Sequence, residues 1–136
     1  KKNNKIFIND SKATSFAASR FALESNKNIF WIVGGLQKIG DKFQLRKLKK
    51  NITKAYVIGK TMKNFKKNLK GNVDFQLCKT LKNAINSIFK DIKKITNKKV
   101  TVLLSPASAS YDQFKNFVER GEKFKNLVKY NAKKFN

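Results

Sequence analysis

The sequence predicts an open α/β sheet of Rossmann type, mostly parallel, with about five or six strands flanked by helices. Three observations lead there. Short apolar runs alternate with stretches of helical periodicity along the whole chain. One of those runs, Ile29-Phe30-Trp31-Ile32-Val33, is continuously apolar, the pattern of a strand covered on both faces of a parallel sheet. The segments between runs are long enough for helices, and so for the right-handed crossovers that parallel pairing requires.

Taken in order, Ile6-Phe7-Ile8 reads as a first strand and Ser15 to Glu24 as a helix. Ile29 to Val33 is the second strand, ended by Gly34-Gly35, and a short helix is expected over Phe43 to Lys50. Ala55 to Ile58 is the third strand, stopped by Gly59 and followed by a basic helix. A weaker fourth strand is expected over Val73 to Leu77. Leu81, Ala84, Ile85, Ile88, Phe89, Ile92 and Ile95 then fall on one stripe at helical spacing. Val100 to Leu104 is the fifth strand, and Pro106 prevents its continuation. Ser110 to about Lys129 reads as a final helix with a break near Gly121, and Ser110 with Gln113 fits a capping box at its start. Neither a repeat nor an interdomain linker is visible, so residues 1–136 are expected to form a single domain.

Composition narrows the chemistry. A lone cysteine, Cys78, excludes an intrachain disulfide and suits a reducing, cytoplasmic setting. The absence of histidine removes Ser-His triads and most zinc sites, and no metal site is expected. No GxxxxGK[ST] phosphate loop and no GxGxxG is present, so a self-sufficient nucleotide-hydrolysing site is not encoded. No run approaches the roughly 20 apolar residues of a membrane span, so no membrane partner is expected. The formal net charge of +24 invites a nucleic-acid reading, but only Arg20, Arg46 and Arg120 among 32 basic residues are arginine. Base readout favours the arginine fork over the lysine point charge. A solvated lysine surface is therefore preferred, with no specific nucleic acid as partner.

Open α/β sheets gather ligands outside the carboxyl ends of their strands. Three unusual segments occupy that position: Asn9 to Thr14 after the first strand, Gly34 to Lys38 after the second, and Ser105 to Ser110 after the fifth. Thr14 or Ser15 can cap the first helix, whose leading N–H groups could then hold a carboxylate or phosphate, with Lys12 alongside. Gly34-Gly35 allows close backbone approach, and Lys38 follows. Each residue also has an ordinary reading. Ser110 and Thr14 serve as simple N-caps, Gly34-Gly35 as a turn, Asp10 as a turn residue and Cys78 as a small buried hydrophobe. Phe117, on the Phe114/Phe117/Val118 stripe, reads locally as core. Their joint placement is what raises them above background.

The same segments carry a resemblance. Phe7-Ile8-Asn9-Asp10-Ser11-Lys12-Ala13-Thr14, then Trp31-Ile32-Val33-Gly34-Gly35 with Lys38, then Leu103 to Phe117 with Glu119-Arg120-Gly121, are similar to the C-terminal domain of the D-glutamate-adding Mur ligases. The long Ser105-to-Gly121 motif is the most specific of the three. The resemblance implies a three-domain, ATP-dependent enzyme of peptidoglycan synthesis that joins D-glutamate to UDP-N-acetylmuramoyl-L-alanine through an acyl phosphate. It implies that Asp10 contacts the nucleotide ribose and that Lys12, the catalytic residue of this segment, neutralises charge near the phosphates. Thr14, Lys38, Ser110 and Phe117 would surround D-glutamate, Lys38 pairing a carboxylate and Phe117 acting mainly through its backbone.

ATP and Mg2+ would be bound mostly by a central domain which, like the N-terminal UDP-substrate domain, has no counterpart here, so the chain alone is expected to be inactive. Ser108 departs from a cysteine common in the family, and Ser15 from an asparagine. Two further readings stand beside this one: a basic α/β module binding nucleic acid or another polyanion, and a noncatalytic ligase remnant.

Overall fold

The computed structural model describes residues 4–36 and 41–135. Five strands form one all-parallel sheet: β1 (Lys5–Asn9), β2 (Ile29–Gly34), β3 (Ile52–Ile58), β4 (Phe75–Lys79) and β5 (Val100–Leu104), in the order β1-β5-β2-β3-β4. The expected open Rossmann-like sheet is thus the observed one. β2 lies at its centre, wholly buried, which is why its sequence carries no polar alternation.

Side-chain alternation splits the core in two. Ile29, Trp31 and Val33 of β2, Ala55 and Val57 of β3 and Leu103 of β5 point to one face. There they meet Phe16 and Leu23 of α1 (Phe16–Ser25) and Phe65 and Leu69 of α2 (Met62–Leu69). Phe30 and Ile32, Tyr56 and Ile58, and Val100, Val102 and Leu104 point to the other face. That face is covered by α3 (Leu81–Ile92) and by Phe124, Leu127 and Val128 of α4 (Phe117–Phe135). The α3 stripe read from the sequence is the buried one, and Ile95, just beyond the helix end, still packs on the same core.

Three local expectations are corrected. Phe43 to Lys50 is not an α-helix: turns lead into a short 3-10 segment at Lys49–Asn51. Arg46, Lys47, Lys49 and Lys50 crowd one turn without an acidic neighbour to offset their repulsion. The segment is instead held by Leu45, Leu48 and the Phe43 ring, which stacks on Phe16 at 4.7 Å and meets Phe65 edge-on at 5.4 Å. β4 runs two residues later than expected, because the Val73 N–H still bonds to the Leu69 carbonyl in the turn that ends α2.

The final helix begins at Phe117 rather than Ser110, and Gly121 does not break it. Ser110 to Asn116 makes a single turn, in which the Ser110 carbonyl accepts from the N–H groups of Gln113 and Phe114. The true cap is Asn116, whose Oδ1 accepts from Glu119 N–H at 2.9 Å while Glu119 Oε1 accepts from Lys115 N–H at 2.8 Å.

Candidate functional site

All five strands end on one edge, and the segment from Ser105 to Asn116 touches the loop beyond each of the other four. Toward β1, Ser105 Oγ donates to Asp10 Oδ2 at 2.7 Å. Leu36, in the loop after β2, pairs with Ala109 through two backbone bonds of 2.9 Å. Asp112 Oδ2 accepts from Lys60 N–H, after β3, at 2.8 Å. Gln113 Nε2 donates to the Lys79 carbonyl, at the end of β4, at 2.9 Å. The loop after β3 closes on the loop after β2 as well, with Thr61 Oγ1 donating to the Gly35 carbonyl. Glycine is required where these backbones cross. Gly35 has φ +138°, and a Cβ there would collide with the Ala109 carbonyl and stand 2.7 Å from Ser108 Oγ.

Asp10 is half-buried and oriented by Ser105, whose own carbonyl is fixed by Trp31 Nε1 at 2.7 Å and Ser19 Oγ at 3.2 Å. Lys12 and Thr14 are exposed on the same loop. Ser110 is buried at the mouth of the β5 loop. Phe117 opens α4 and is 41% exposed, which overturns the reading of it as core. Its carbonyl accepts from Ser11 Oγ at 2.6 Å, so backbone and ring are both placed at the edge. Asp10, Lys12, Thr14, Ser110 and Phe117 therefore share one edge. Lys38 lies outside the described residues.

Of the two caps the sequence allows at the N-terminus of α1, the structure uses one. Ser15, not Thr14, is the cap, its Oγ accepting from Ala18 N–H at 3.3 Å. The Phe16 N–H is held by Asp41 Oδ2 at 2.9 Å. A carboxylate of the protein thus occupies a position that the sequence left for a ligand anion. It also ties the chain just beyond the Lys38 segment to the site edge.

Arg120 escaped the sequence reading except as a motif letter. The residue as a whole is 1% exposed. Nε donates to Ser11 Oγ at 3.0 Å and Nη2 to the Ser11 carbonyl at 2.6 Å. Burial lowers its pKa to about 10, with Asp112 opposing, so it remains a cation at neutral pH. One signal was available: an arginine among lysines, at a place where a planar fork is needed. Among the described residues, no cluster of three or more metal-ligating side chains exists and no helix is long and apolar enough to cross a membrane.

No protein-family model matches the chain. Curated proteins do. A UDP-N-acetylmuramoylalanine–D-glutamate ligase of Bartonella henselae is 46% identical over 123 residues, covering 90% of this chain and 26% of the relative. Its counterpart from the Wolbachia of Brugia malayi is 45% identical over 121 residues, covering 89% and 24%. That of Rickettsia prowazekii is 39% identical over 127 residues, covering 93% and 28%. The chain spans about a quarter of the length of these relatives. By identity along nine-tenths of its own length, this chain is similar to a part of the UDP-N-acetylmuramoylalanine–D-glutamate ligases, over a span consistent with their C-terminal domain.

Proposed function

We propose that residues 1–136 are the amino-acid-binding domain of a ligase of peptidoglycan synthesis that adds D-glutamate to UDP-N-acetylmuramoyl-L-alanine in the cytoplasm. The observation that carries this reading is the identity of 39–46% along nearly the whole chain to ligases of that name. The geometry supports it, since the three motif segments meet at one edge through the Ser105–Asn116 hub.

In this reading ATP phosphorylates the L-alanyl carboxylate, releasing ADP. The D-glutamate amine then attacks the acyl carbon, and phosphate leaves as the amide forms. The chain contributes positioning and charge rather than bond making. The Asp10 carboxylate, with one oxygen engaged by Ser105, has the other to offer a ribose hydroxyl. Lys12, exposed beside it, places a positive charge near the phosphates. Thr14, Ser110, the Phe117 backbone and Lys38 surround D-glutamate, Lys38 pairing a carboxylate. Magnesium and most nucleotide contacts are assigned to the central domain, and the UDP moiety to an N-terminal one, as the resemblance implies.

The test mixes this chain with the separately produced N-terminal and central domains of a relative and follows D-glutamate-dependent phosphate release. Activity is expected, and Lys38→Ala should lower it by about 10²-fold or more. Silence from folded partners shown to be in contact would sink the proposal. So would robust turnover by the isolated chain.

A further inference from the structure

We infer that Arg120 is a positioning residue that fastens the loop carrying Asp10 and Lys12 to the first turn of α4, which carries Phe117. The two sides of the candidate site then move as one body. The inference rests on the ligase reading for the roles of Asp10, Lys12 and Phe117, but the brace itself stands on geometry alone.

Ser11 is the centre of the brace. Its carbonyl and hydroxyl receive Nη2 and Nε of Arg120 at 2.6 and 3.0 Å, and the same hydroxyl donates onward to the Phe117 carbonyl at 2.6 Å. One residue further along α4, Gly121 leaves room for the Asn9 side chain, whose Nδ2 lies 2.8 Å from where a Cβ would stand. Asn9 Oδ1 in turn accepts from Ser11 N–H at 3.1 Å. Loop and helix thus meet at two successive helical positions, through contacts that only an arginine fork and a glycine can make together.

Stability alone does not account for this arginine. A buried cation is costly unless its donors are satisfied. Here Nη1 has no hydrogen-bond partner, and no carboxylate bonds to the guanidinium among the described residues. An apolar side chain of similar length would fill the same space without that cost. What it would lose is the tie to Ser11.

Arg120→Met and Arg120→Lys separate the roles. In the chain as it stands, amide exchange at Ser11 and Ala13, both hydrogen-bonded within the loop, is measured together with the melting temperature. Expected for methionine is exchange about tenfold faster at those two amides, with β2 and α3 amides unchanged and the melting temperature held within a few degrees. Lysine, able to make one of the two bonds, should restore part of the protection. Unchanged exchange overturns the brace whatever becomes of the ligase reading, as does a uniform loss of protection with a fall in melting temperature.

A chimaera of the Bartonella henselae relative carrying this chain in place of its matching segment supplies the kinetic readout. Arg120→Met is expected to lower kcat about tenfold or more and to raise KM for both nucleotide and D-glutamate. A change confined to one ligand overturns the coupling. A chimaera inactive before any substitution counts against the ligase reading instead, and the exchange experiment still decides the brace.

Discussion

Gly34 ends the central strand at φ +127°, and a Cβ there would run into the Ile58 carbonyl, with Ile58 N at 2.8 Å. Backbone cannot yield as a flexible side chain does, so Gly34→Ala should destabilise the chain by about 3 kcal/mol or more in chemical denaturation. Asp91 makes a gentler case. Burial would raise its carboxyl, but hydrogen bonds from Tyr56 Oη at 2.6 Å and Lys54 Nζ at 3.1 Å hold it below its ordinary value of 3.8. A carboxyl depressed in the folded state contributes stability above its unfolded value, and that contribution is lost as pH falls through the folded one. Solvent screening of the partly exposed pair keeps the effect small, so Asp91→Asn should cost about 0.5–1 kcal/mol at neutral pH. The gap between variant and parent should close in melts run progressively below that ordinary value. The same partner works in the opposite sense on the phenol: burial first, then the bond to Asp91, push Tyr56 far above its usual range.

At the scale of elements, legibility followed the length and continuity of the apolar pattern. β2 and β5 were readable because a strand covered on both faces needs no polar alternation, and α3 because six buried residues fall on one stripe. The Ser110–Asn116 turn was misread because Ser-x-x-Gln chemistry serves an isolated turn as well as a helix start. That Phe117 is exposed, and that Asp41 fills the α1 terminus, depend on contacts between segments far apart in sequence. Periodicity carries no information about those. The brace at Arg120 spans 109 positions and was invisible for the same reason. Gly121 offers a test within a single helix. Alanine gains about 1 kcal/mol over glycine in a helix interior, while the nearest atoms to the new methyl are those of the Asn9 amide group. Gly121→Ala should leave the melting temperature within a few degrees and displace Asn9, seen as a chemical-shift change confined to Asn9, Ser11 and their neighbours.

The whole molecule is governed by its charge. From Lys42 to Val73 no acidic residue occurs, while eleven basic ones do. On α2 the lysines 63, 66 and 67 lie opposite the buried Phe65 and Leu69. Ion pairs recorded among the described residues are Arg20–Glu24, Lys54–Asp91 and Lys125–Glu122, and two of these three are solvent-exposed. Repulsion within a net charge of +24 opposes the folded state and is screened by salt. Raising sodium chloride from about 20 to about 300 mM should therefore raise the melting temperature by several degrees, a rise that anions bound at one site alone would saturate early. Trp31, the single tryptophan and fully buried, reports the transition by its emission.

The strand order has a consequence in time. Among the described residues β1 pairs only with β5, Lys5 opposite Val100 and Asn9 opposite Leu104. Within this sheet β1 thus waits for β5 before it has a neighbour, while β2, β3 and β4 can assemble in sequence around their own crossovers. Closing so long a loop is slow. In refolding followed by pulsed amide exchange, β1 and the Asn9–Thr14 loop should gain protection later than β2 and β3, so that this half of the candidate site forms late.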